Sequence, residues 1–114
     1  MICFAMKEKS MIESDGIKVL IHAPTPEALK RARQNAVNLL RAQPDAQVRV
    51  MLNGPAVGAA LESEPHESDP WTWLCPNTLA NTGKQSRAPM HVMDGPAILM
   101  IARLQQDGWA YVRA

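Results

Sequence analysis

Short apolar runs that each break on a proline or glycine and then give way to a helical pattern constrain this chain more than any other feature. IKVLIHA (17–23) is nearly continuous in β-branched and apolar residues, as a strand covered on both faces should be, and Pro24 closes it. Thr25-Pro26-Glu27 then starts a helix by recognisable chemistry. Thr25 can cap an orphan N–H, Pro26 suits the first helical position, and Glu27 favours the positive end of the dipole. Leu29, Ala32, Ala36, Val37, Leu39 and Leu40 form a stripe at three- and four-residue spacing, and Pro44 ends the helix.

The unit recurs. AQVRVMLNG (46–54) reads as a strand ending in Asn-Gly, and PAVGAALE (55–62) as a short helix opening on Pro55. ESEPHESDP (62–70) is acidic and proline-containing, which implies a loop or irregular crossover. WTWLC (71–75) is a third strand, followed by a short helical turn over 76–81. MHVMD (90–94) is a fourth, GPAILMIARLQQDG (95–108) a helix with Gly95-Pro96 at its start and Gly108 at its stop, and WAYVRA a fifth strand. Such alternation predicts an α/β domain, a parallel sheet lying between helical layers. Alternation alone leaves the strand order open.

A length of 114 residues suits one small domain and is too short for two. Residues 1–15 lack a sustained period and end in Glu13-Ser14-Asp15, so they read as an N-terminal leader to a single domain over 16–114. With 4% aromatic residues and 7 Met, the core must be mainly aliphatic. A net charge of +1 gives no field for steering onto nucleic acid or an anionic membrane. Lys30, Arg31, Arg33 and Arg41 read as the solvated face of the first helix. No apolar run reaches the ~18–20 residues of a membrane span, and MICFAMKEKSM lacks the pattern of a secretory signal. Cys3 and Cys75 are far apart, which favours free thiols in a reducing cytoplasm. The expectation is a soluble cytoplasmic domain.

In an open parallel sheet the functional crevice lies beyond the carboxyl ends of the strands. Four segments reach that rim: His22-Ala23-Pro24, Asn53-Gly54-Pro55, Cys75-Pro76-Asn77 and Asp94-Gly95-Pro96. Each precedes a helix, so backbone N–H groups gather there. Cys75 is the one nucleophilic thiol of the set, and placement at a helix start can lower a thiol pKa from about 8.5 to roughly 3.5–7.5. Asn77 or Thr78 can cap the turn. The competing reading makes Cys75 a small buried hydrophobe at a strand end. His22 could orient or protonate a group in the crevice, His66 falls in the acidic loop, and His91 begins the fourth strand near the opposite rim. No Cys/His spacing fits a metal site, and no cofactor is implied. Asn53-Gly54-Pro55-Ala56-Val57-Gly58 matches neither a phosphate loop nor a dinucleotide fingerprint, although its helix start could hold an anion weakly.

Four segments carry a family resemblance: the first strand with its helix ending in Asn38-Leu39-Leu40, VRVMLNGPAV, the cysteine turn LCPNTL, and the closing LQQDGWAYVR. Cys75-x-Asn77-Thr78-Leu79 combined with the later Gly108-Trp109-Ala110-Tyr111 is the more specific signature. On these residues the chain resembles the DsrE/DsrF-like superfamily, small α/β proteins that include sulfur-relay subunits and the YchN-like proteins. The resemblance implies a three-layer α/β/α fold with a five-stranded parallel sheet in order 4-3-2-1-5, and assembly into trimers or hexamers. It also implies a cysteine that carries sulfur as a persulfide, a role that falls on Cys75. The acidic insert 62–70 and the short basic stretch TGKQSRAPM (82–90) depart from that pattern.

Two readings of function follow. The first is a sulfur carrier or sulfurtransferase-like protein working with a donor or acceptor protein. Cys75 exchanges the sulfur, Lys84 and Arg87 raise the thiolate fraction, and His22, Asn53, Gly54, Asn77 and Thr78 line or orient the crevice. The alternative is a non-enzymatic oligomeric domain that binds a small ligand or partner protein at the same rim. Independently of either, Ile98, Leu99, Met100, Ile101, Ala102 and Leu104 exceed what one helix stripe needs, which predicts a homo-oligomer.

Overall fold

A computed structural model describes residues 16–114; the leader expected over 1–15 lies outside the described residues. The elements run β1 (Lys18–Ala23), α1 (Pro26–Ala42), β2 (Gln47–Leu52), α2 (Pro55–Glu62), a 3₁₀ turn (Asp69–Trp71), β3 (Thr72–Leu74), α3 (Pro76–Thr82), β4 (His91–Val92), α4 (Ala97–Gln106) and β5 (Ala110–Arg113). All neighbouring strands pair in parallel, in the order β4-β3-β2-β1-β5. The expected three-layer α/β architecture and its strand order are therefore those observed.

Local chemistry accounts for the helix ends. Thr25 is extended (φ −132°, ψ 162°) and its Oγ1 accepts from the Ala28 N–H at 3.1 Å, with Pro26 in the first turn. Cys75 takes the same extended cap position before α3 (φ −67°, ψ 123°), again with proline next. The apolar runs are shorter as strands than as sequence patterns: β3 covers three residues and β4 two. Pro76 ends β3, and the Asp94-Gly95-Pro96 turn follows soon after β4.

Alternation along each strand splits the core in two. Ile21, Ala23, Val48, Val50, Leu52 and Leu74 point to the side covered by α1 and α2, where Leu79 of α3 also packs. Leu20, Met51 and Cys75 point the other way and meet Ala97, Ile101 and Leu104 of α4. One helix thus covers the second face. Its buried residues are Ala97, Ile101 and Leu104, while Ile98 is 77% and Leu99 41% exposed.

The 62–70 segment is irregular, as expected, but Ser68 and Asp69 within it are buried. Asp69 accepts from the His66 backbone N–H at 3.1 Å and lies between two guanidiniums, Arg33 at 3.7 Å and Arg87 at 3.5 Å. Arg87 also donates to the carbonyls of Leu61 and Ser63, both at 2.9 Å. This corrects the reading of Arg33 as part of a solvated face, since only 11% of its side chain is exposed. A buried carboxylate must be paired, and α1 supplies the partner from its inner flank.

Candidate functional site at the carboxyl rim of the sheet

The rim is assembled by register. β1 and β2 align Ala23 with Leu52, and β2 and β3 align Leu52 with Leu74, so the residues just beyond them form one row. Cys75 extends this ladder by donating its N–H to the Leu52 carbonyl at 3.0 Å. The site residues therefore continue the hydrogen-bonded rows of the sheet.

Gly54 turns the chain sharply after β2, with φ 56° and ψ −151°. A Cβ there would lie 3.0 Å from the Pro24 carbonyl oxygen, so the close approach of the two rim turns requires glycine. The Gly54 N–H donates to Thr78 Oγ1 at 3.2 Å, tying the second rim turn to the helix that follows the cysteine.

Cys75 is a free thiol, 5% exposed, packed against the α4 side of the sheet. Its side chain is enclosed, with Met51, Met93 and Ala97 in the same apolar cluster. Burial by itself pushes the Cys75 pKa up, because a thiolate loses hydration. Hydrogen bonds outweigh it and leave the pKa below the ordinary cysteine value. They come from the Thr78 backbone N–H, the Ala97 backbone N–H, the Thr78 hydroxyl and the Asn77 backbone N–H. Two helix starts, those of α3 and α4, therefore aim N–H groups at one sulfur. The Thr78 hydroxyl both accepts from Gly54 and donates to the thiolate, so the second rim turn reaches the sulfur through it.

His22 is half-buried at the same rim. Its Nε2 lies 2.9 Å from Asn53 Oδ1 and its Nδ1 2.8 Å from the Tyr111 hydroxyl. In the tautomer that satisfies both, Nε2–H donates to Asn53 and Nδ1 accepts from Tyr111. The pair orients Asn53 and joins β5 to β1 at the rim, and His22 has no hydrogen bond to the thiol.

The sequence-predicted residues therefore divide. Cys75, Asn77, Thr78 and Gly54 form one connected set, and His22 and Asn53 a second beside it. Lys84 is paired with Glu62 at 3.0 Å, and Arg87 is held by Asp69 and two carbonyls. No side-chain cation is among the groups that lower the thiol, so the role expected of Lys84 and Arg87 is filled by backbone N–H groups. His91 stacks on Trp73 with ring centroids 4.3 Å apart, away from the thiol. Sequence reasoning missed Ala97, whose N–H comes from the Asp94-Gly95-Pro96 turn, and Tyr111. The first was signalled by that turn's place at the rim, the second only by its place in the Gly108-Trp109-Ala110-Tyr111 signature, which gave it no role. Among the described residues, no group of three or more His, Cys, Asp or Glu side chains could hold a metal ion, and no helix is long and apolar enough to cross a membrane.

Compared with known proteins, the chain matches no protein-family model and no curated protein.

Proposed function

We propose that the protein is a cysteine-based sulfur carrier of the DsrE type, with Cys75 as the residue that holds sulfur. The reading rests on the place of Cys75 between the starts of α3 and α4, where the Thr78, Ala97 and Asn77 N–H groups and the Thr78 hydroxyl hold its pKa below the ordinary value despite burial. A structural cysteine in an apolar pocket would have its pKa raised. Here the pKa is held below its ordinary value, which raises the share of the anion, and the anion is the nucleophile.

The Cys75 thiolate attacks the terminal sulfur of a donor persulfide, R–S–SH. A new S–S bond forms to Cys75, the donor S–S bond breaks, and its electron pair leaves on the donor thiolate. Transfer onward is the same exchange with an acceptor thiolate attacking the outer sulfur. The N–H groups of Asn77, Thr78 and Ala97 stabilise whichever sulfur bears the charge, and the apolar cluster around it keeps water from the persulfide.

The chain acts as a homo-oligomer in this reading, in the cytoplasm. Ile98 and Leu99 on α4, and Tyr111 and Val112 on the edge strand β5, are apolar and open among the described residues. The alternative, a non-enzymatic oligomer that binds a ligand at the rim, is favoured by the 5% exposure of Cys75. Intact mass after incubation with a persulfide donor separates the two. The carrier gains one sulfur atom, lost in Cys75→Ser and kept in Cys3→Ser; a mass unchanged in the wild type rejects the carrier.

A further inference from the structure

Five aromatic Trp, Tyr and Phe residues occur in the chain, and three are tryptophans. All three tryptophans line a single cavity of about 270 Å³, together with Arg49, His91 and Leu40. Its lining comes from the starts of β2, β3 and β4, the end of the sheet opposite Cys75.

The side chains form a ladder across the strands. His91 of β4 stacks on Trp73 of β3, with centroids 4.3 Å apart and planes at 19°. The Arg49 guanidinium of β2 lies 4.6 Å from the Trp73 ring centre and 5.2 Å from that of Trp109. Two indoles thus lie within cation–π range of one guanidinium. Its N–H donors lie in its plane, and among the described residues none of them has a hydrogen-bond or ion-pair partner. Trp71 and Leu40 supply apolar surface beside it.

We propose that this cavity binds a small planar organic carboxylate, with the carboxylate taken edge-on by Arg49 and the ring laid against tryptophan. Guanidinium and carboxylate match in a two-bond fork, and the two indoles beside Arg49 hold the fork in place before the ligand arrives. Arg49 is the sole Arg or Lys of the lining, and His91 Nε2 is already engaged with the Pro70 carbonyl at 2.9 Å. One cation suits one negative charge, which favours a monocarboxylate over a phosphate dianion. The volume lies just below the range of drug-sized pockets, so a single-ring ligand fits.

Because every tryptophan lines the cavity, intrinsic fluorescence reports its occupancy directly. Titration of the full chain with benzoate is expected to give a saturable change. Benzamide, the neutral isostere, should bind at least about tenfold more weakly, a difference of ~1.4 kcal/mol. Arg49→Met should abolish the response and Arg49→Lys weaken it, with both thermal midpoints checked for folding. Cys75→Ser should bind benzoate as the wild type does, so this site and the sulfur reading stand or fall separately. Equal responses to benzoate and benzamide, or no saturable change below about 10 mM, would overturn the proposal without recourse to any variant.

Discussion

Thr78 is the residue on which the rim depends. Its hydroxyl accepts the Gly54 N–H at 3.2 Å and hydrogen-bonds the Cys75 sulfur, and its own N–H does the latter as well. Thr78→Val keeps the shape and the backbone donor but removes the hydroxyl from both bonds. The Cys75 pKa should rise, and alkylation below neutral pH should slow; Thr78→Ser should restore both. A Val variant with an unaltered rate profile would show that the hydroxyl does not act on the sulfur. Asp69 is the second such residue, buried between Arg33 and Arg87. Asp69→Ala leaves Arg33 facing an apolar gap and should cost about 3–5 kcal/mol in a denaturant titration. A loss below ~1 kcal/mol, the usual worth of a surface pair, would mean that solvent reaches the cluster. Neither residue was legible from sequence in this role. Thr78 was marked as a cap for its own turn and a crevice residue, and Asp69 as one acid among several, because the link from Thr78 to Gly54 and the pairing of Asp69 with Arg33 and Arg87 span 18 or more residues.

Elements were far more legible than their contacts. The Thr25-Pro26 helix start, the strand ends at Pro24 and Asn53-Gly54, and the Gly108 stop are all local events, each dictated by a backbone preference that the residue carries with it. The Trp73–Arg49–Trp109 ladder was not, since it exists only once the strands are in register. Helix α4 lies between these cases. Its apolar excess was visible, and the structure shows where it goes: Ala97, Ile101 and Leu104 face the sheet, and Ile98 and Leu99 face outward. Ile98→Glu should therefore change stability of the subunit by no more than ~0.5 kcal/mol while reducing the mass seen by light scattering. A monomeric wild type at micromolar concentration, or an Ile98→Glu oligomer of undiminished mass, would remove this face from assembly. Ile101→Glu, on the buried side of the same helix, should instead unfold the chain.

At the scale of the molecule, the parallel sheet does two things at once. It gathers the helix starts at one end, where they converge on Cys75, and leaves the strand starts free at the other, where the tryptophans collect. The strand order expected from the family resemblance is the one observed, which is what places the Cys75 turn next to both the Gly54 turn and the α4 start. A lowered thiol pKa in the folded state has a consequence for the whole chain. The stability it contributes is fully present above the unfolded-state value, about 8.5, and is lost as pH falls through the lower folded value. The stability difference between wild type and Cys75→Ser should accordingly grow with pH across that window; a flat difference would mean the two states bind the proton equally.

The most direct test of the account is the rate of Cys75 alkylation by iodoacetamide as a function of pH, followed on the Cys3→Ser chain so that one thiol reports. Two helix starts acting on the sulfur predict a midpoint below the free-cysteine value of about 8.5, with the absolute rate limited by burial. A midpoint at or above that value would show that burial prevails over the hydrogen bonds, and would leave Cys75 a packing residue.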